Sequence, residues 1–379
     1  MSNGGVGVAH LTSDHFALDP RIFYKECRSL ARAGYRVTLI GPYLQDAEVD
    51  GVKIRAMRFA FARWSRLSIG LVRLWSAAVK TDAEIYHLHD PELLPIGLWL
   101  RRRGKKVVYD VHDDFPALAA ATRYLPFPGP LRRIPPSTIR AIENFAAPRM
   151  SAIIAAVEFI GERFKALNRN CVVVHNLPER DELAPQVWPN WSERARNIAY
   201  VGSFARWRGL REMVLAMAKL PQSLDSKLVL VGRIPGELLA DIERLPGYDR
   251  VQLTGMLDRS GVRQALSTVM AGLVLLHPVS FMLGAWPIKM FEYMAAGIPV
   301  IASDFPLWRE FLGDPPCGLL VNPLDPAAIA DAIEFILTHP SEAEEMGRRG
   351  RRSVERRYNW ATEEATLLQL YRRLEAGKR

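Results

Sequence analysis

The segment PIKMFEYMAAGIPVIAS, residues 287–303, sets a proline, a lysine and a glutamate at the start of an amphipathic stretch that ends at a glycine. Such a start opens a helix whose first amides have no partner within the helix. Those amides, with the axial dipole, favour a phosphate. Lys289 adds a point charge, and Glu292, one turn further on, can accept hydrogen bonds from ribose hydroxyls. A plainer reading is an ordinary helix ending at Gly297 before a buried strand. Other polar clusters follow short apolar runs. In the first half these are Thr12 to His15, His89 with Asp90, and His112 with Asp113 and Asp114. They supply carboxylates and imidazoles, which orient hydroxyls and move protons. In the second half they are Gly202, Ser203, Arg206 and Arg208, then Gly232 with Arg233, then Gly255, Met256 and Leu257. They supply glycines and arginines. The division suits an anionic donor held by the second half and a reacting hydroxyl held by the first.

These clusters owe their placement to a repeated pattern of short apolar run, turn and amphipathic stretch. The runs read as buried parallel strands and the stretches as crossover helices. Strands are expected at residues 6–12, 36–41, 85–88, 106–111, 152–157 and 172–175. After a proline-containing stretch at 176–197, read as the interdomain connection, strands are expected at 198–201, 227–231, 251–253, 272–276, 299–302 and 318–321. Asp19 and Pro20 suit a helix start and Gly34 its end. Two successive α/β units predict two Rossmann-like domains: residues 1–180 for the acceptor and 181–355 for the donor. A C-terminal helix, 356–379, is expected to pack back on the first domain. Right-handed crossovers gather the strand C-termini on one side of each sheet, and ligands bind there.

Composition narrows the class. In 379 residues, 49% are hydrophobic and 24% charged, which excludes a disordered, collagen-like or coiled-coil chain. The three cysteines are odd in number and far apart, which argues against a disulfide scaffold and fits a reducing cytoplasm. Neither a transmembrane helix nor a signal peptide is evident in the sequence. The net charge of +9 prefers anionic partners.

Several features carry two readings. His112, Asp113 and Asp114 form a potential metal cluster; Asp110 is read as facing away from it, and no metal is expected. His89 and Asp90 either meet the acceptor or cap the next helix. Arg101 to Arg103 read as a solvated helix end, and the arginines of 348–357 as a solvated helix face. Residues 58–80 interleave aromatics with arginines. That suits either an anionic membrane surface or a core helix with an edge loop.

Residues 287–303 resemble the donor-binding signature of GT-B glycosyltransferases of the group 1 (GT4) family, many of which build bacterial polysaccharides. YVGSFARWRG (200–209), LVLVGR (228–233) and GLLVNPLDP (318–326) resemble the family's strands and loops in order and spacing. HDPELLP (89–95) and YDVHDDFP (109–116) resemble first-domain motifs of a subset. The resemblance implies a retaining transfer from a nucleotide-diphosphate sugar to a hydroxyl acceptor, with no metal or other cofactor. Glu292 then matches the second glutamate of an E-x7-E motif, which holds the ribose. Lys289 and Arg208 match diphosphate ligands, and Gly202 and Gly232 lie at close approaches to the nucleotide. Met256 and Leu257 match the base-binding loop. His112 matches a histidine that reaches the transferred sugar, with Asp113 and Asp114 as rival contacts. Two departures stand out. Gly284 replaces the first glutamate of the motif, and Ser203 replaces the arginine after Gly202, leaving Arg206 to compensate. The region Thr12 to Arg21 replaces a glycine pair, and Asp14, His15 or Arg21 is expected to serve the acceptor, with His89 and Asp90.

The expected acceptor is a lipid-linked glycan or other saccharide, met by a cytoplasmic enzyme at the inner face of the membrane, with no nucleic acid as partner. A GT-B nucleotide-sugar epimerase and a basic nucleic-acid-binding Rossmann protein are the alternatives. The epimerase requires ordered acid–base groups. The nucleic-acid binder leaves Lys289 and Glu292 unexplained.

Overall fold

A computed structural model describes residues 5–57, 70–122, 135–186, 188, 190–279 and 282–377. The chain divides into two compact units: Met1–Asn176 with Glu363–Arg379, and Leu177–Thr362. The first unit holds an eight-stranded sheet in the order β3-β4-β2-β1-β5-β6-β7-β8. Its strands are β1 (Gly7–Leu11), β2 (Arg36–Pro42), β3 (Ala47–Val49), β4 (Val52–Met57), β5 (Ile85–Leu88), β6 (Lys106–Val111), β7 (Ala152–Ala155) and β8 (Cys171–Val173). All pairs are parallel except β3 with β4, a short edge hairpin. The second unit holds a six-stranded parallel sheet in the order β11-β10-β9-β12-β13-β14. Its strands are β9 (Ile198–Val201), β10 (Leu228–Val231), β11 (Val251–Gly255), β12 (Ala271–Val274), β13 (Val300–Ser303) and β14 (Gly318–Val321). Each sheet reverses its strand order once, between β1 and β5 and between β9 and β12. The crevices at those reversals are where α/β folds bind ligands.

The strand sequences explain the burial. Runs such as LVLV and AIIA, covered by helices on both faces, need no polar side. β5 (IYHL) and β6 (KVVYDV) are also almost wholly buried, yet they carry His87 and Asp110. A buried polar group is costly unless it is bonded. The first sheet therefore contains an internal polar network, absent from the expectation of purely apolar strands.

Residues 177–197 do not form a free connection. Leu177, Leu183 and Trp191 lie in the core of the second unit, so the described part of this segment is packed. The final helix, Trp360–Ala376, contributes buried Trp360, Leu367, Leu370 and Leu374. Within the first unit, His175 Nδ1 lies 3.1 Å from Glu363 and His87 Nδ1 2.8 Å from the Tyr371 hydroxyl. Lys106 bonds the carbonyl of Leu374. Of the basic aromatic stretch at 58–80, residues 58–69 lie outside the described residues, and helix Leu71–Thr81 follows them. No helix among the described residues is long and apolar enough to cross a membrane.

Candidate functional site

In the first unit, the ends of β1, β5 and β6 bring together His15, His89, Asp90 and His112. Asp90 does not cap the helix that follows it. Its Oδ2 accepts from the Thr12 hydroxyl at 2.9 Å and the Ser13 amide at 2.7 Å, tying the loop after β1 to the end of β5. His15 Nε2 lies 3.6 Å from Asp90 Oδ1, and its ring sits 5.1 Å from that of His112. His89 is 1% exposed; its Nε2 meets His10 Nδ1 at 2.9 Å and its Nδ1 lies 3.4 Å from Asp110 Oδ2. His89 and Asp90 thus shape the loops from inside, while Asp14 and His15 reach the surface. Asp113 is exposed. Asp114 accepts from the Ala117 amide and so begins helix Phe115–Thr122.

Asp110 requires a correction. It and His112 are two positions apart at the end of β6 and share a face, because strand side chains alternate. Asp110 Oδ2 lies 2.8 Å from His112 Nε2. Arg21 is likewise not free for the acceptor. It is 3% exposed; its Nε and Nη2 reach the two Asp110 oxygens at 3.2 and 2.9 Å, and its Nη1 donates to the Val174 carbonyl at 2.8 Å. Asp19 aims it by accepting from the amides of Arg21 and Ile22. Burial acts to raise Asp110, but the Arg21 guanidinium overcomes this and holds the carboxyl well below its ordinary range. Burial pushes Glu26 well up, with Asp110 adding to the shift, and pushes His10 and His89 well down. One donor atom from each of His89, Asp110 and His112 lies within 4.8 Å of the others, as ligands of a metal would. The guanidinium already supplies positive charge to both oxygens of that carboxylate, which opposes a cation there.

In the second unit, Gly202 ends β9 with φ +131°, and a Cβ there would fall 2.2 Å from Lys289 Cε. Only glycine allows Lys289 to cross the strand end so closely. Helix Ile288–Ala295 starts after Pro287 with no side chain capping its first amides. Tyr293 fastens it, its hydroxyl accepting from the Val201 amide at 2.9 Å. Its ring stacks where a Cβ of Gly272 would be, at 2.2 Å. Glu292 is buried, and Arg259 Nη1 donates to it at 2.9 Å while its Nε reaches Glu182 at 2.6 Å. Burial lowers the Lys289 ammonium, with Arg208 and Arg259 acting the same way against Glu292. Arg206 and Arg208 form a short turn after β9, Gly232 follows β10, and Met256 and Leu257 follow β11, with Met256 exposed. Arg259 bonded to Glu292, with Lys289 near enough to feel Arg208, Arg259 and Glu292, beside a helix start that no side chain caps, is an arrangement that suits an anion.

Sequence reasoning passed over Arg259, Glu182, His10 and Glu26. The available signal was a charge or imidazole within an apolar run, as at His87 and Asp110, which requires a partner from elsewhere.

Residues 188–353 match the family of glycosyl transferases group 1, and residues 21–177 match glycosyltransferase family 4. The chain is 26% identical over 310 residues to a phosphatidyl-myo-inositol mannosyltransferase of Mycobacterium leprae, covering 79% of this chain and 75% of that one. Its fold is similar to a sucrose-phosphate synthase from Thermosynechococcus elongatus, with a TM-score of 0.78 at 20% identity over 98% and 100% of the two chains. It is also similar to Anabaena HepE in complex with UDP-glucose, with a TM-score of 0.72 at 14% identity over 96% and 98%. The two sheets and their switch points define a GT-B fold. The chain belongs to the group 1 (GT4) glycosyltransferases and is a glycosyltransferase.

Proposed function

We propose that the protein transfers a sugar from a nucleotide-diphosphate sugar to a hydroxyl of a lipid-linked glycan in polysaccharide assembly, with retention of configuration and no metal. The observation that carries the donor half is Lys289 lying against Gly202 at the uncapped start of helix Ile288–Ala295, with Arg259 bonded to Glu292 one turn on and Arg208 adding positive charge. A departing diphosphate develops negative charge, and cations with fixed amides stabilise it there. Glu292, oriented by Arg259, holds the ribose. Gly202, Gly232 and Arg206 line the nucleotide, with Met256 and Leu257 at the base. The UDP-glucose bound by HepE supports a donor of this class.

The acceptor half rests on the first unit. His112 touches the reacting sugar, with Asp113 beside it, and Asp14 and His15 meet the acceptor from the surface. His89 and Asp90 serve this site from within. No carboxylate is assigned below the anomeric carbon, so retention proceeds by front-face attack, with the leaving phosphate accepting the acceptor proton. The mycobacterial relative's name supports a lipid acceptor, and the enzyme would meet it from the cytoplasm at the inner face of the membrane.

A thermal-shift screen against UDP-, GDP-, ADP- and TDP-sugars tests the donor, because a ligand of the folded state raises its stability by mass action. Glu292→Ala is expected to weaken the selected donor by about 1.5–3 kcal/mol with the fold retained. Unchanged calorimetric affinity in that variant overturns the assignment.

A further inference from the structure

His112 has two ring nitrogens, and its environment distinguishes them. Nε2 points inward to Asp110 Oδ2 at 2.8 Å and lies 3.3 Å from His89 Nδ1, whereas Nδ1 makes no hydrogen bond among the described residues. The carboxylate has little freedom to move. It is fully buried, and Arg21 grips both its oxygens while anchoring a third nitrogen on Val174. His89 Nδ1 approaches the same Oδ2 at 3.4 Å.

We propose that Asp110, clamped by Arg21, is the positioning residue that holds His112 as its Nε2–H tautomer and leaves the Nδ1 lone pair for a substrate hydroxyl. This rests on the reading of His112 as the residue that touches the sugar. An ionised carboxylate only accepts, so the proton of a neutral His112 must sit on Nε2. The ring then cannot flip without breaking that bond, and Nδ1 acts as a hydrogen-bond acceptor of fixed direction. Fixed orientation and tautomer are what a buried carboxylate supplies to a working histidine. Arg21 acts one step further back. Its charge keeps Asp110 ionised, so the loop after β1 and the end of β6 work as one unit.

Two measurements test this. In the wild-type protein labelled with ¹⁵N-histidine, long-range ¹H–¹⁵N correlation reads the tautomer directly, with His112→Gln assigning the signal. The Nε2–H tautomer is expected, and an Nδ1–H tautomer overturns the proposal without any variant of Asp110 having to fold. The second is a kinetic cycle on the nucleotide sugar that the screen selects, read as released nucleoside diphosphate. Asp110→Asn is expected to lower kcat by about thirtyfold or more, with donor affinity within about threefold. Asp110→Glu is expected to restore part of the loss. The double variant Asp110→Asn/His112→Ala is expected to be no slower than His112→Ala alone. Near-normal turnover in Asp110→Asn, or a loss in the double variant equal to the product of the single losses, overturns the positioning role. Near-normal turnover in His112→Ala instead overturns the catalytic reading, and the tautomer measurement still decides the arrangement.

Discussion

At the scale of single residues, the two units solve opposite electrostatic problems. Around Lys289 the protein gathers like charges beside free helix amides, a costly arrangement that an anion relieves. Around Asp110 it buries a charge and neutralises it internally with Arg21. The first arrangement suits ligand binding and the second suits rigidity. This difference separates the candidates after β6. His112→Ala is expected to lower kcat by about a hundredfold or more with a smaller change in donor affinity. Asp114, which caps helix Phe115–Thr122, is expected to act through stability. Asp114→Ala should cost about 0.5–2 kcal/mol while turnover per folded molecule stays near normal. If turnover stays normal in His112→Ala and collapses in Asp113→Ala or Asp114→Ala, the catalytic contact is misplaced.

At the scale of elements, a strand end and a helix start meet in the proposed donor site, and Gly202 is the joint between them. Gly202→Ala places a methyl group against Lys289 and strains a backbone at φ +131°. Donor affinity is expected to fall about tenfold or more, since displacing the lysine removes a charge-assisted contact worth about 1.5–3 kcal/mol. Titration calorimetry of the variant with the selected donor reads this, and wild-type affinity counts against the joint. The final helix is fastened to the first unit partly through His175, 2.9 Å from Glu158 and 3.1 Å from Glu363. Burial lowers this imidazole, but bonds to the two carboxylates outweigh it, and the net shift is upward. A histidine raised in the folded state contributes stability that is complete below its unfolded value, about 6.5, and is lost as pH rises through the folded value. Between pH 6 and 9, wild type is therefore expected to lose more stability than His175→Gln. Urea melts at the two pH values measure this, and identical pH dependence in both proteins refutes it.

At the scale of the whole molecule, a net charge of +9 accompanies an incompletely buried helix in the first unit. Helix Leu71–Thr81 exposes Val72, Trp75 and Val79 along one face, with Lys80 alongside and Arg103 stacked on the neighbouring Trp99. Apolar side chains flanked by cations suit an anionic lipid surface, where each basic group contributes about 1 kcal/mol. Flotation with anionic vesicles is expected at low salt and to be lost at high salt. Equal partitioning to neutral and anionic vesicles, or none at either salt, excludes the membrane reading.

The sequence by itself determined the alternation of strand and helix, the two-unit α/β architecture and the helix that opens after Pro287. These are local signals: apolar runs of strand length, glycines at strand ends, and a proline-started helix within one stretch of chain. It did not determine which polar residues face a ligand and which are spent inside the fold. Arg21 and Asp110 are 89 positions apart, and only the pairing of β1 with β5, and of β5 with β6, brings the segment after β1 to the end of β6. Arg259, after β11, and Glu292, after β12, meet across 33 residues although their strands do not pair. A charge written in sequence carries no record of its partner, and the packed sheet decides whether it is clamped, as at Asp110, or left beside an uncapped helix start, as at Lys289.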